Sequence, residues 1–255
     1  MTPETRAKKL IIARANRRKI TLPVQDRPAT WAEARETADY ACMGDPVAWK
    51  LGGTSQFVRD IFGIDWMFYG PLGSHEVYEN GQTVIVPPLP GPVAEPEIAV
   101  RLGKDVPPSG TPRTDAQIKG LIDAVAPALD IAAVALKDPP SEGVLSLIAD
   151  RAGTGLILTD AWQSPTILPR LANQPVRLLL DGREKSRGNA NVLLGGVYGA
   201  LRDFFVQAAR EDLTLFAGDV IATGGLAPAI PIRNAKTVTA SFDGWQTAQF
   251  ALEYL

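Results

Sequence analysis

The chain has 255 residues, 45% of them hydrophobic and 21% charged, with a formal net charge of -2. It can bury a full core without covalent staples, and it has no global field to draw nucleic acid or anionic lipid. One cysteine, Cys42, excludes an internal disulfide and cysteine-rich zinc or redox centres, and one histidine, His75, excludes an HExxH zinc site.

Those exclusions point to a reducing, cytoplasmic setting and a small-molecule partner. Seven basic side chains and one acid, Glu4, occupy the first twenty residues, but the apolar run Leu10 to Ala13 is too short for a signal-peptide core or a membrane span. The spacing predicts a docking helix from Thr2 to about Lys19, with Leu10, Ile11 and Ala13 as its apolar face. An organelle-targeting helix is the other reading of the same basic spacing. After the connector Ile20 to Pro28, Thr30 reads as the N-cap of a second helix. Residues 1–47 therefore form an expected helical subdomain.

From residue 48 to 255 the texture is β-rich. Short apolar runs at Thr83 to Val86, Glu97 to Leu102, Gly155 to Leu158, Val176 to Leu180 and Val220 to Thr223 are separated by Gly and Pro. Two helices interrupt them, one near Asp115 to Val125 and one near Val197 to Arg210, whose Leu201, Phe204, Phe205 and Ala208 form a packing stripe. The prolines at 87, 88, 90 and 92 make an extended spacer. Neither a dinucleotide fingerprint nor a P-loop is present, since Gly153-Thr154-Gly155 is followed by Leu158 where a third glycine is needed.

In the run Glu95-Pro96-Glu97-Ile98-Ala99-Val100-Arg101-Leu102, strand alternation puts Ile98, Val100 and Leu102 on one face and both glutamates on the other, roughly 7 Å apart at Cα. Two readings fit. The pair holds a hard cation, Mg²⁺ or Mn²⁺, that relieves its repulsion, or it is the solvent face of an edge strand, as Pro96 hints. Asp130 lies in the apolar run Ala126 to Ile131, where an unpaired charge is costly, and is a candidate third ligand.

These residues, with Trp49-Lys50-Leu51-Gly52 and Thr54-Ser55, Gly103-Lys104-Asp105, and Gly218-Asp219-Val220-Ile221-Ala222-Thr223-Gly224-Gly225-Leu226, resemble the 2-keto-4-pentenoate hydratase group of the fumarylacetoacetate-hydrolase-like superfamily, which includes the 4-oxalocrotonate decarboxylases. The resemblance spans nearly the whole chain. It implies an α+β, β-rich fold, a mixed β-sandwich or roll with an N-terminal helical subdomain, assembled as a homo-oligomer. It further implies a metal held by Glu95, Glu97 and Asp130, which stabilises the enolate of a 2-oxo acid in aromatic-compound catabolism. The implied reaction is hydration of a 2-hydroxydienoate or 2-oxo-alkenoate, with C–C hydrolysis, decarboxylation or a catalytically impaired partner subunit as the alternatives.

In this frame Lys50 is the cationic partner or proton carrier, and Leu51, Gly52, Thr54, Ser55, Thr223, Gly224 and Gly225 bind substrate. Two departures stand out. Gly70-Pro71-Leu72-Gly73-Ser74-His75-Glu76 replaces the hydratases' acidic segment, and Ala133-Val134-Ala135 replaces an Asp-Ser-Arg. His75, as a base oriented by Glu76, is the expected substitute, provided that their segment is a loop or short helix.

Overall fold

The computed structural model describes residues 1–255. Helix α1 (Pro3–Ala15) begins where Thr2 caps the Thr5 N–H and stops four residues short of the expected Lys19, because Arg17 turns into the left-handed region (φ 53°). Helix α2 (Trp31–Ala41) is capped by Thr30, as its sequence predicts. The chain then runs through β1 (Ala48–Gly52), α3 (Gln56–Phe62), β2 (Phe68–Leu72), β3 (Val77–Glu79), β4 (Val84–Val86), β5 (Val93–Leu102), α4 (Asp115–Lys119) and β6 (Ile122–Ala132). Next come α5 (Pro139–Glu142), α6 (Val144–Ala149), β7 (Leu156–Thr159), α7 (Leu168–Leu171), β8 (Pro175–Leu180), β9 (Arg183–Asn189), α8 (Gly196–Arg210), β10 (Val220–Ala222), β11 (Ile230–Pro231), β12 (Thr237–Phe242) and β13 (Thr247–Tyr254).

The expected helix at Asp115 to Val125 needs correction, since it ends at Lys119 and Ile122 already belongs to β6. Gly120 closes the helix, and β6 then pairs antiparallel with β5 from Ile122 to Ala132. Tertiary pairing overrides the local spacing there.

Two sheets result. The larger has the order β2-β1-β10-β5-β6-β7-β3 with β11 added beside β5, and the smaller has the order β4-β13-β12-β8-β9. Between them lies the main core, where Ile98, Val100, Leu129 and Ile131 of the large sheet meet Val176, Leu178, Val238 and Phe250 of the small one, with the α8 stripe Leu201, Phe204, Phe205 and Ala208. A second core lies under the N-terminal helices and joins Leu10 and Ala13 to Phe68, Leu147, Ile148 and Ala152. The opposite face of the large sheet is built from small residues, Ala48, Ala99, Ala128 and Ala222 among them. Its alanines leave room above the sheet for longer polar side chains.

Candidate metal centre

Strand β5 is interior, not an edge. It pairs with β6 on one side and with β10 and β11 on the other. Pro96 is tolerated because its missing N–H points into the gap between β10 and β11, where its carbonyl accepts the Leu226 N–H at 2.9 Å. The edge-strand reading of the two glutamates therefore fails: Glu97 is fully buried and Glu95 is partly buried.

Register completes the cluster. Glu95 is the cross-strand partner of Asp130, two pairs away from Glu97 with Ala128, and antiparallel partners project to the same face. Ligand oxygens of Glu95, Glu97 and Asp130 all lie within 4.8 Å of one another. The Gly224 N–H donates to Glu97 Oε2 at 2.8 Å, while Glu97 Oε1 and Asp130 Oδ1 are buried with no hydrogen-bond donor. Buried carboxylate oxygens without donors are costly unless a cation takes them. An oxygen-only set of this kind suits a hard divalent ion, so the residues present fit a metal.

Lys50, on the same face of β1, is buried between the acids. Its ammonium pairs with Asp130 Oδ2 and donates to Glu95 Oε2 at 3.4 Å. Burial works against its charge, but Asp130, Glu95 and Glu97 outweigh it and hold its pKa above the ordinary lysine value. Burial, reinforced by Asp130 and Glu95, raises the Glu97 carboxyl well above the usual range. Asp130 is pushed up to about 6 by burial, against the opposing pull of Lys50.

Glu95 and Lys50 face a cavity of about 760 Å³, also lined by Leu51, Gly52, Thr54, Ser55, Gly224 and Gly225 among others, with Glu97 and Asp130 fully buried behind them. Leu51 contributes backbone there, because its side chain lies in the main core. Ser55 caps α3 through the Val58 N–H. Gly224 adopts φ +111°, and a Cβ on it would stand 2.0 Å from Thr54 Oγ1, so only glycine lets the two strand ends meet.

Several expected binding groups are already engaged within the chain. Both Thr223 donors, N–H and Oγ1, go to the Ile98 carbonyl, and the Gly224 N–H is held by Glu97. The Gly225 N–H makes no hydrogen bond within the chain and is the free donor of that turn.

His75 and Glu76 require correction. They do sit in a short 3₁₀ turn, but Glu76 is buried in a bidentate pair with Arg151, both bonds at 2.6 Å, and accepts the Gly73 N–H. It cannot orient His75, which is exposed and lines no part of the cavity. Arg151 follows Asp150 in a turn remote in sequence, so no spacing signal announced this pairing. The cavity segment that motif reading missed is α3, whose Phe57, Val58 and Phe62 form one wall.

Comparison with known proteins agrees with the geometry. The chain is 28% identical over 197 residues, 76% of its length and 73% of the relative's, to a 2-keto-4-pentenoate hydratase of Burkholderia vietnamiensis. It is 27% identical to a 4-oxalocrotonate decarboxylase of a Pseudomonas species, over 80% of this chain and 78% of that one. The fold matches the 4-oxalocrotonate decarboxylase of Pseudomonas putida G7, solved with calcium and acetate and with magnesium and adipate, at a TM-score of 0.86 and 21% identity over 99% of this chain and 97% of that one. The fumarylacetoacetate (FAA) hydrolase C-terminal family matches residues 61–251, and this chain belongs to that family.

Proposed function

We propose that this protein is a divalent-metal-dependent hydro-lyase that adds water to a 2-hydroxydienoate or 2-oxo-alkenoate, a small acid of aromatic-compound breakdown. The observation that carries the reading is the cluster of Glu95, Glu97 and Asp130, whose outer member Glu95 lines one cavity together with Lys50. The hydratase relative supports the reaction, and the calcium and magnesium bound to the structural neighbour support the metal.

Glu95, Glu97 and Asp130 are the residues to hold Mg²⁺ or Mn²⁺. A bound ion of that kind supplies Lewis acidity toward a 2-oxo group and its neighbouring carboxylate. Lys50, kept protonated by its acidic neighbours, offers charge to the same oxygens and a proton to the substrate carbon. Gly225 offers its free N–H to the substrate carboxylate. Thr54 and Ser55, at the start of α3, border the path by which substrate reaches these groups.

Decarboxylation of a related 2-oxo acid is the second reading, favoured by the cavity's charged groups, which are Lys50, Glu95 and Arg187 alone. Loss of CO₂ requires a proton donor such as Lys50 but no base to activate water. The C–C hydrolase reading, drawn from His75 with Glu76 and from Asp130, loses the first of these supports. We also infer a cytoplasmic homo-oligomer with residues 1–47 as a helical subdomain. No helix of the chain is long and apolar enough to cross a membrane.

Incubating the Mg²⁺-loaded protein with 2-hydroxypenta-2,4-dienoate and, separately, with an unsaturated 2-oxo dicarboxylate, followed by mass spectrometry, tests the proposal. Gain of one water is expected, and loss of CO₂ without hydration overturns it in favour of the decarboxylase. Glu97→Gln is expected to lose both bound metal and turnover. Full retention of both would sink the metal site.

A further inference from the structure

The cavity holds more than a five-carbon acid fills, since about 760 Å³ lies in the range that takes drug-sized ligands. Beyond the carboxylate cluster, one wall is hydrocarbon: Val58 and Phe62 from α3, Phe68 from β2, Val134 after β6, Leu147 from α6, and Ala152. Phe68, Leu147 and Ala152 are buried members of the second core, so the back of this wall is fixed by packing, and Val58, Phe62 and Val134 lie half-buried against it.

Charge is confined elsewhere. Lys50 and Glu95 belong to the cluster, and Arg187, on β9, is forked onto Glu184 with bonds of 2.9 and 3.0 Å and has an exposed side chain. A second carboxylate placed against the hydrocarbon wall would lose its water and gain no cation, which is strongly unfavourable. An alkyl or aryl group placed there would gain roughly fourfold in affinity per buried methylene.

Taking the site as one for 2-oxo acids, as proposed above, we infer that its substrate carries an apolar tail of several carbons beyond the 2-oxo acid head, and that the Val58–Phe62–Phe68–Val134–Leu147 wall selects it against a dicarboxylate. This deepens the functional reading by naming the substrate class, and it concerns groups that take no part in holding the metal.

Saturated 2-oxo acids do not turn over as dienoates do, so their binding to Mg²⁺-loaded protein, measured by isothermal titration calorimetry, reads the wall alone. From 2-oxobutanoate through 2-oxohexanoate to 2-oxooctanoate, affinity is expected to rise about fourfold per methylene. The dicarboxylate 2-oxoadipate is expected to bind at least about tenfold more weakly than 2-oxohexanoate, which has the same number of carbons.

Val134→Lys, at a half-buried position on the cavity wall, is expected to reverse that preference, and Phe62→Ala to flatten the dependence on length. Affinity independent of length, or 2-oxoadipate binding as tightly as 2-oxohexanoate, overturns the inference. Tail-dependent binding without hydration of any dienoate overturns the hydro-lyase reading and leaves this one standing. Hydration with no preference for a tail does the reverse. Binding of none of these acids overturns both.

Discussion

Asp130 shows how a single residue carries both the chemistry and its pH dependence. Burial pushes its carboxyl up to about 6 against the pull of Lys50, so the folded chain holds this proton more tightly than the unfolded chain, in which aspartate titrates near 4. Its contribution to stability is therefore present in full below about pH 4 and is lost as pH rises through about 6. A divalent ion binds the deprotonated form and competes with that proton. The rise in Tm produced by Mg²⁺ or Mn²⁺ is accordingly expected to grow from pH 5 to pH 8, measured by thermal unfolding with and without the ion. A rise that shrinks over that interval would contradict the assignment. At this scale Glu95 and Glu97 were legible because strand alternation fixes their common face, and Asp130 because a carboxylate in an apolar run is costly, while the motifs around them joined the three as one set. His75 misled, since adjacency to Glu76 says nothing about Arg151, which captures Glu76 from a distant turn.

Among the elements, those with caps or strong stripes were readable from their own residues: α2 from Thr30, α8 from its apolar spacing, β5 from its alternation and β10 as a short apolar run bounded by glycines. Where neighbours decide, reading failed. Ile122 to Val125 is strand because β5 pairs with it, and Pro96 sits in an interior strand because a gap between β10 and β11 receives it. The strands β12 and β13 lacked an apolar run distinctive enough to call attention to themselves, and α3 has no buried residue of its own to mark a stripe. The end of β9 fixes the loop that follows β10, since a Cβ on Gly188 would stand 1.9 Å from the Leu226 backbone oxygen. Gly188→Ala is expected to cost about 1–3 kcal/mol through overpacking. It should also displace Gly225, weakening 2-oxo acid binding more than metal binding. Thermal melts with separate metal and ligand titrations check this, and an unchanged Tm would contradict it.

For the whole molecule, the junction between the N-terminal helices and the β-rich part is polar and buried. Arg14 of α1 donates to Asp150 Oδ1 at 2.9 Å and to the Asp150 and Thr154 carbonyls, each at 2.8 Å, while Asp150 Oδ2 accepts the Ala135 N–H. Asp150→Ala leaves a buried guanidinium without its counter-charge, at an expected cost of about 3–5 kcal/mol. For a chain of this size that is a fall in Tm of about 10 °C. Calorimetry should show one transition in the parent protein, because the second core runs from Leu10 to Ala152 without interruption. Two separate transitions would contradict that coupling. The order of residues by itself determined the strand faces and the helix caps and marked the three acids as candidates, because those follow from local periodicity and from the cost of burying charge; that the acids meet depended on the β5–β6 register. Only the tertiary structure decided which strand lies beside which, that Thr223 and Gly224 spend their donors inside, that Glu76 belongs to Arg151, and that α3 walls the cavity. Each of these depends on contacts between segments distant in the chain, and local periodicity carries no record of them.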